Sequence, residues 1–128
     1  MPLLRFDVVA GRTPAQLGAL LDAAHAAVVE AFDVPEGDRY QVVHQHPAGE
    51  LVVHDTGLGI ERTDRVVLLQ VTSRARPQEQ KVAFHHLLVR NLEAAGTAGS
   101  DVVVSIVENG DADWSFGYGR AQFLTGEL

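Results

Sequence analysis

Cysteine is absent from the 128 residues of this chain. Its absence excludes disulfides, thiolate metal sites and a cysteine nucleophile. Basic residues are also few, because 10 lysines and arginines stand against 17 aspartates and glutamates and give a formal net charge of −7. A nucleic-acid-binding protein normally presents a basic face, so this balance argues against that class and we expect no nucleic-acid partner.

Long apolar runs are missing as well. No stretch approaches the ~18 apolar residues that a membrane helix needs, so we expect no membrane partner. Arg5 and Asp7 lie too close to the amino terminus for a signal peptide, which favours a cytoplasmic protein. With 46% hydrophobic residues and an ordinary length, the sequence predicts a single folded domain over residues 1–128.

The first half of the chain has the pattern strand, helix, strand. Apolar residues alternate with polar ones over residues 2–9, which predicts a strand. Thr13 followed by Pro14 is typical of a helix start, with threonine as the N-cap and proline at the first helical position. We predict a helix from Pro14 to about Phe32 and, after a turn, a second strand over residues 39–46.

The second half repeats this order. An apolar run predicts a strand over residues 65–73, and a helix is predicted from Pro77 to about Gly96. A fourth strand is predicted over residues 101–108. Residues 47–65, between the halves, are predicted to form a hairpin or an irregular connection.

The two halves, residues 2–46 and 65–109, align without a gap, so that Asp38 meets Asp101. The alignment indicates an internal repeat of one β-α-β unit. We therefore predict an α+β fold, a two-layer sandwich in which both units share one four-stranded mixed sheet with two helices on one face. The other face needs a cover, which favours an oligomer, and residues 110–128 form a separate aromatic segment.

Pro2 is the first candidate for chemistry. Initiator methionine is usually removed ahead of proline, which leaves a secondary amine able to form an iminium with a carbonyl. An α-amino group titrates near ~8 in a reference peptide. If Met1 stays attached, the Pro2 nitrogen is an amide and cannot act, and many chains begin with Met-Pro without any such role.

Arg74 and Arg76 follow the third strand and precede the second helix, where α/β proteins place ligand groups. Two guanidinium groups in this arrangement can grip a carboxylate, although a solvated surface pair is the alternative. Asp38 lies just before the second predicted strand, where the residue preferences of a turn explain an aspartate. The sequence pattern alone assigns it no catalytic role.

Other polar and aromatic residues have plain structural interpretations. His44, His46 and His54 have the side chains of a zinc site, but half-exposed strand positions explain them better, and we predict no metal or other cofactor. Trp114 and Phe116 fit either a core or the wall of an apolar pocket.

Five stretches together resemble the tautomerase superfamily and, within it, the malonate semialdehyde decarboxylases. The resemblance extends over essentially the whole chain, and these stretches are more specific than an N-terminal proline alone. In sequence order they are Met-Pro-Leu-Leu-Arg-Phe-Asp (1–7), Ala-Phe-Asp-Val-Pro-Glu-Gly-Asp-Arg-Tyr (31–40), Asp-Thr-Gly-Leu-Gly-Ile (55–60), Ser-Arg-Ala-Arg-Pro (73–77) and Asn-Gly-Asp-Ala-Asp-Trp-Ser-Phe-Gly (109–117).

The resemblance implies a homotrimeric carboxy-lyase that converts malonate semialdehyde, a small carbonyl substrate bearing a carboxylate, to acetaldehyde and CO2 without a cofactor. The implied catalytic residues are Pro2, Asp38, Arg74 and Arg76, with the two arginines binding the carboxylate. The implied apolar wall that also contacts substrate consists of Trp114, Phe116 and Phe123. The alternatives are a hydratase or tautomerase of small unsaturated or enol 2-oxo acids on the same site, and a non-catalytic trimeric interaction protein.

Overall fold

Four strands form one mixed sheet, and two long helices cover one of its faces. The computed structural model describes residues 1–128, and its elements are β1 (Leu3–Val9), α1 (Pro14–Phe32), β2 (Tyr40–His46), β3 (Val67–Arg74), α2 (Gln78–Ala94), β4 (Val102–Asn109) and α3 (Gln122–Thr125). The strand order is β2-β1-β3-β4. The central pair, β1 and β3, is antiparallel and each outer pair is parallel. The predicted fold class is thus confirmed.

The start and end of α1 follow from local chemistry. The Thr13 hydroxyl accepts a hydrogen bond from the Gln16 amide, and the Gln16 side chain accepts one from the Thr13 amide, which forms a capping box. Pro14 occupies the first turn, where no amide donor is needed. The helix ends where Asp33 adopts a left-handed conformation with φ of 51°.

The hydrophobic core lies between the sheet and the two long helices. Phe6 is fully buried on the inner face of β1, and Phe32 of α1 stacks on Phe84 of α2 with ring centroids 5.0 Å apart. Leu20 and Val28 of α1 are also buried in this core. Burying each of these large side chains contributes about 1.5–3 kcal/mol to folding, which ties both helices to the sheet.

The gap-free alignment of the two halves is not matched by the strand register. Leu3 of β1 lies opposite Tyr40 of β2, whereas Val67 of β3 lies opposite Val102 of β4. The second crossover is therefore two residues shorter than the first. The repeat therefore holds for the order of the elements and for the buried faces of β1 and β3. The pairing of β4 with β3, however, is shifted by two residues relative to the pairing of β2 with β1.

Residues 47–66, between β2 and β3, contain no strand, so the irregular alternative is the correct one. The carboxylate of Asp55 organises this connection, because its Oδ2 accepts hydrogen bonds from the amides of Gly57 at 3.2 Å and Gly59 at 2.7 Å. Desolvation alone would raise the pKa of Asp55, but the hydrogen bonds from the backbone amides of this connection together outweigh it and lower the pKa. No helix in the chain combines the length and the apolar character that crossing a membrane requires.

The outer face of the sheet carries polar pairs across β1 and β2. Arg5 Nη2 lies 3.0 Å from His44 Nε2, and His46 Nε2 lies 2.7 Å from Asp7 Oδ1. Both strand histidines thus have partners on the neighbouring strand, in line with their interpretation as half-exposed strand residues.

Candidate active site

The amino terminus of the chain meets Asp38 at one edge of the sheet. Pro2 is buried just before β1, and the α-amino nitrogen of Met1 lies 3.4 Å from Asp38 Oδ2. Asp38 is in the turn that precedes β2, and its side chain is only 6% exposed. Its Oδ2 accepts no well-formed hydrogen bond, so the contact with the amine is an ion pair. A buried carboxylate in this state is available to a cationic group.

Arg76 reaches the same edge from the loop between β3 and α2. Its Nη1 donates to the carbonyl of Phe32 at 2.7 Å, and its Nε donates to the Ser73 hydroxyl at 3.3 Å. The guanidinium also lies 4.9 Å from the centroid of the Phe32 ring. The backbone amide of Arg76 donates to Glu108 Oε2 at 2.8 Å. These contacts fix the side chain and leave Nη2 without a hydrogen-bond partner in the chain.

Arg74, the last residue of β3, is held by the carboxy-terminal segment. Its Nη1 donates to Asp111 Oδ1 at 3.0 Å, and its guanidinium lies 3.8 Å from the centroid of the Phe123 ring. Its Nε is buried and has no hydrogen-bond partner. A buried donor of this kind is costly unless a ligand or water satisfies it.

The predicted aromatic residues form one connected cluster beside Arg74. Trp114 stacks on Phe116 with centroids 5.6 Å apart, and Phe116 meets Phe123 edge to face at 5.5 Å. Tyr40, at the start of β2, lies 5.7 Å from Phe116 and extends the cluster towards Asp38. The carboxy-terminal segment therefore contributes an aromatic cluster that contacts both Arg74 and the start of β2.

The charges of this edge act on the amino group. Burial lowers the pKa of the Met1 α-amino group, and Arg76 and Arg74 also lower it, whereas Asp38 raises it. Burial and the charge of Arg74 likewise lower the pKa of Arg76. The structure thus brings together an amine, a carboxylate and two arginines, and the charges of the other three groups all act on the amine.

Several contributors to this edge were not predicted. Phe32 supports Arg76 through its carbonyl and its ring, and Ser73 is fully buried beneath the same guanidinium. Glu108 binds the Arg76 amide and the Lys81 ammonium, 3.1 Å away, and these contacts lower its pKa. Of these residues, only Glu108 could have been suggested by the sequence. It is the last residue of the strand predicted over residues 101–108, and that strand lies beside the strand that ends before Arg76.

The site is not enclosed by a single chain. None of the four clefts on the surface is lined by Pro2, Asp38, Arg74 or Arg76. The four residues instead lie along the sheet edge between the turn before β2 and the carboxy-terminal segment.

Comparison with known proteins identifies the family. One family model of tautomerase enzymes matches residues 38–117, and a second matches residues 2–61. This chain belongs to the tautomerase superfamily. It is 58% identical to the Bacillus subtilis protein named "Probable tautomerase YrdN", over all of both chains. It is 32% identical to "Probable tautomerase YusQ" of the same organism, over 97% of this chain and 99% of that protein.

Solved structures of tautomerase-superfamily enzymes have the same fold. A malonate semialdehyde decarboxylase, described with decarboxylase and hydratase activities, is 60% identical with a TM-score of 0.97 over 98% of both chains. The FG41 malonate semialdehyde decarboxylase, inhibited by 3-bromopropiolate, is 39% identical with a TM-score of 0.95 over 98% of this chain and 97% of that one. A fused 4-OT that forms a symmetric trimer is 26% identical with a TM-score of 0.79, over 97% and 98% of the two chains.

Proposed function

We propose that this tautomerase-superfamily enzyme decarboxylates malonate semialdehyde to acetaldehyde and CO2 without a cofactor. The observation that carries the proposal is the meeting of a terminal amine, the Asp38 carboxylate and the two arginines at one sheet edge. The similarity to two malonate semialdehyde decarboxylases supports the choice of substrate.

Pro2 supplies the electron sink once Met1 has been removed. While Met1 is attached, the Pro2 nitrogen is an amide, so removal of the methionine is part of the proposal. Loss of CO2 leaves an electron pair on the α-carbon of the substrate. A cationic proline accepts this charge either by hydrogen-bonding the aldehyde oxygen or as an iminium. Asp38 stabilises the cation, because a negative neighbour raises the pKa of an amine.

Arg74 and Arg76 hold the carboxylate of the substrate. Arg76 Nη2 and Arg74 Nη2 have no hydrogen-bond partner in the chain and remain for a ligand. The two groups turn the carboxylate out of the carbonyl plane, which aligns the breaking bond with the π system. The apolar wall of Trp114, Phe116 and Phe123 favours neutral CO2 over the anion that it replaces.

A homotrimer is also part of the proposal. The fused 4-OT with the same fold is a trimer, and the site of a single chain lacks an enclosing wall. A neighbouring copy supplies that wall and covers the free face of the sheet.

The direct experiment is proton NMR of malonate semialdehyde with untagged protein whose mass shows that Met1 is absent. We expect the aldehyde signals of the substrate to be replaced by those of acetaldehyde. Correctly processed, trimeric protein that forms no acetaldehyde would overturn the proposal.

A hydratase or tautomerase activity on the same site is the second candidate. It is favoured by the decarboxylase relative with hydratase activity and by the relatives named as probable tautomerases. Pro2 would then act on an unsaturated or enol 2-oxo acid that the same arginines bind. Turnover of such acids in the absence of decarboxylation would favour this candidate.

The dependence of rate on pH separates an acidic from a basic proline. Burial lowers the pKa of the Met1 α-amino group, despite the opposing effect of Asp38, and we expect the same direction for the Pro2 amine once Met1 has been removed. If Pro2 acts as a cation that hydrogen-bonds the aldehyde oxygen, kcat/KM should be full below this pKa and fall as pH rises through it. We expect the midpoint to lie below the pKa of the same terminus in a peptide. A rate that rises through this midpoint would instead show that the neutral amine is required, either as the base of a tautomerase or as the nucleophile that forms an iminium.

Replacing Asp38 by asparagine should lower the rate of decarboxylation at and above the pKa of the amine, because the charged fraction of the amine falls when its negative neighbour is lost. The fall in kcat/KM with pH should also move to lower pH, because Asp38 raises the pKa of the amine. The matched control is Asp33→Asn in the same loop, where asparagine tolerates the left-handed backbone. An unchanged pH profile in Asp38→Asn would reduce Asp38 to a turn residue.

A further inference from the structure

A second charged cleft lies at the opposite edge of the sheet, where β1 ends and β3 begins. The two β-α-β units place equivalent residues at opposite edges of the sheet, because their first strands, β1 and β3, are antiparallel neighbours in its centre. The cleft therefore occupies the position in one unit that the candidate active site occupies in the other. The cleft has a volume of about 230 Å³ and is lined by Val9, Ala10, Gly11, Arg12, Asp64 and Arg65.

Arg12 is the feature that points to a ligand. The residue is 7% exposed, and its Nη2 donates to the backbone carbonyl of Arg65 at 2.8 Å. Its Nε and Nη1 have no partner in the chain, yet neither is fully sealed from the surface, so they open into the cleft. A nearly buried guanidinium with free donors favours a bound anion. Burial and the charge of Arg65 also lower the pKa of Arg12, whereas Asp101 and Asp64 raise it.

The carboxylate that corresponds to Asp38 in the repeat cannot serve this arginine as a close partner. Asp101 is 1% exposed, and its Oδ1 accepts the Thr63 amide at 2.7 Å while its Oδ2 accepts the Thr63 hydroxyl at 2.5 Å. At the active-site edge the carboxylate differs, because Asp38 Oδ2 has no donor, whereas Arg76, like Arg12, donates to a backbone carbonyl. The second edge therefore has a free cation and no free amine, which suits binding rather than catalysis.

An apolar cleft adjoins the charged one. It has a volume of about 350 Å³, shares Val9 and Asp64 with the first, and takes most of its apolar lining from Ala48, Leu51, Val52, Val53 and Val66. A ligand whose anionic group binds Arg12 can thus extend an apolar group past Val9 into the apolar cleft.

We propose that this edge binds a small monocarboxylate, with the carboxylate on Arg12 and a short aliphatic chain in the adjoining apolar cleft. Planar carboxylates match the donors of a guanidinium. Arg65 adds a second positive charge on the rim, beside the negative charges of Asp64 and the buried Asp101. The carboxylate is placed on Arg12 and not on the amino end of α1, because Thr13 and Gln16 already cap that helix. The proposal does not depend on the decarboxylase activity.

The test is a titration of the trimer with butanoate at constant ionic strength, followed by amide shifts in two-dimensional NMR. We expect saturable shifts at Gly11, Arg12 and Arg65, and none with the neutral analogue butanamide. Acetate and inorganic phosphate should bind more weakly than butanoate. Shifts confined to residues 73–77 would overturn the proposal, because the carboxylate would then bind only at the candidate active site. Phosphate binding as tight as butanoate would also overturn it, since the site would then be a general anion site.

Arg65 and Asp64 are both exposed on the rim of the cleft and carry opposite charges, so they provide a matched pair of variants. Arg65→Gln should weaken butanoate binding about threefold, and Asp64→Asn should strengthen it by a similar factor, as expected for single charges near the surface. Neither change removes the backbone carbonyl that holds Arg12. Equal affinities in both variants would contradict the site, and the rate of the proposed reaction should not change in either.

Discussion

The Pro2→Ala variant is expected to lose about a hundredfold in kcat/KM for malonate semialdehyde, the typical cost of misplacing a reacting group by about 1 Å. Alanine also follows a removable methionine, so the variant retains a terminal amine in the same place. That amine is primary, less nucleophilic and free to rotate, whereas the proline ring fixes the nitrogen at the start of β1. The variant therefore tests the secondary amine and its orientation rather than the presence of a charge.

The measurement is the initial rate of acetaldehyde formation by proton NMR, with intact mass showing that both proteins begin at residue 2. Pro47→Ala is the matched control, because Pro47 lies in an exposed position after β2 and far from the amino terminus in sequence. It should have the rate of the unmodified protein. Equal rates in Pro2→Ala and Pro47→Ala would remove proline from the mechanism.

A preparation that keeps Met1 provides an independent version of the same test. In that chain the Pro2 nitrogen is an amide, and the α-amino group near Asp38 belongs to Met1. We expect the specific activity of mixed preparations to follow the processed fraction determined by mass. Activity that is independent of this fraction would show that the amine of Pro2 is not required.

Much of the fold was predictable because its signals are local. Thr13 and Pro14 define the start of α1 through the hydrogen bonds of a single turn, and the alternation in residues 2–9 identifies the buried face of β1. The register of β4 was not predictable in this way. Aligning the halves at one offset assumes equal crossovers, whereas the shorter second crossover places Val67 opposite Val102.

The site was predictable to a lesser degree, and the reason is physical. Arg76 stands out in the sequence because it lies at the end of a strand and before a helix. Its supports do not, because one is the carbonyl of Phe32, which any residue type would provide, and another is Glu108 from a distant strand. Arg12 was overlooked for a similar reason, since a lone arginine before a helix carries no signal until its burial is known.

Replacing Arg76 by alanine should lower kcat/KM by at least about a hundredfold, comparable to the cost of misplacing a substrate at its reacting bond. The carboxylate would then be held by Arg74 alone, whose guanidinium is already paired with Asp111. We expect most of the loss in kcat, because orientation of the carboxylate contributes to the transition state more than to binding.

Two further variants separate this effect from folding and from charge. Arg90→Ala removes an exposed arginine of α2 that lies 3.5 Å from Glu30, and it should leave the rate unchanged. Arg76→Lys keeps a positive charge but loses the forked donors, so it should recover only part of the activity. Thermal unfolding should show all three variants folded, since the lost hydrogen bond to Phe32 is worth about 1–3 kcal/mol. If folded Arg76→Ala decarboxylates the substrate at the unmodified rate, Arg76 does not position the carboxylate, and the role proposed for the arginine pair is wrong.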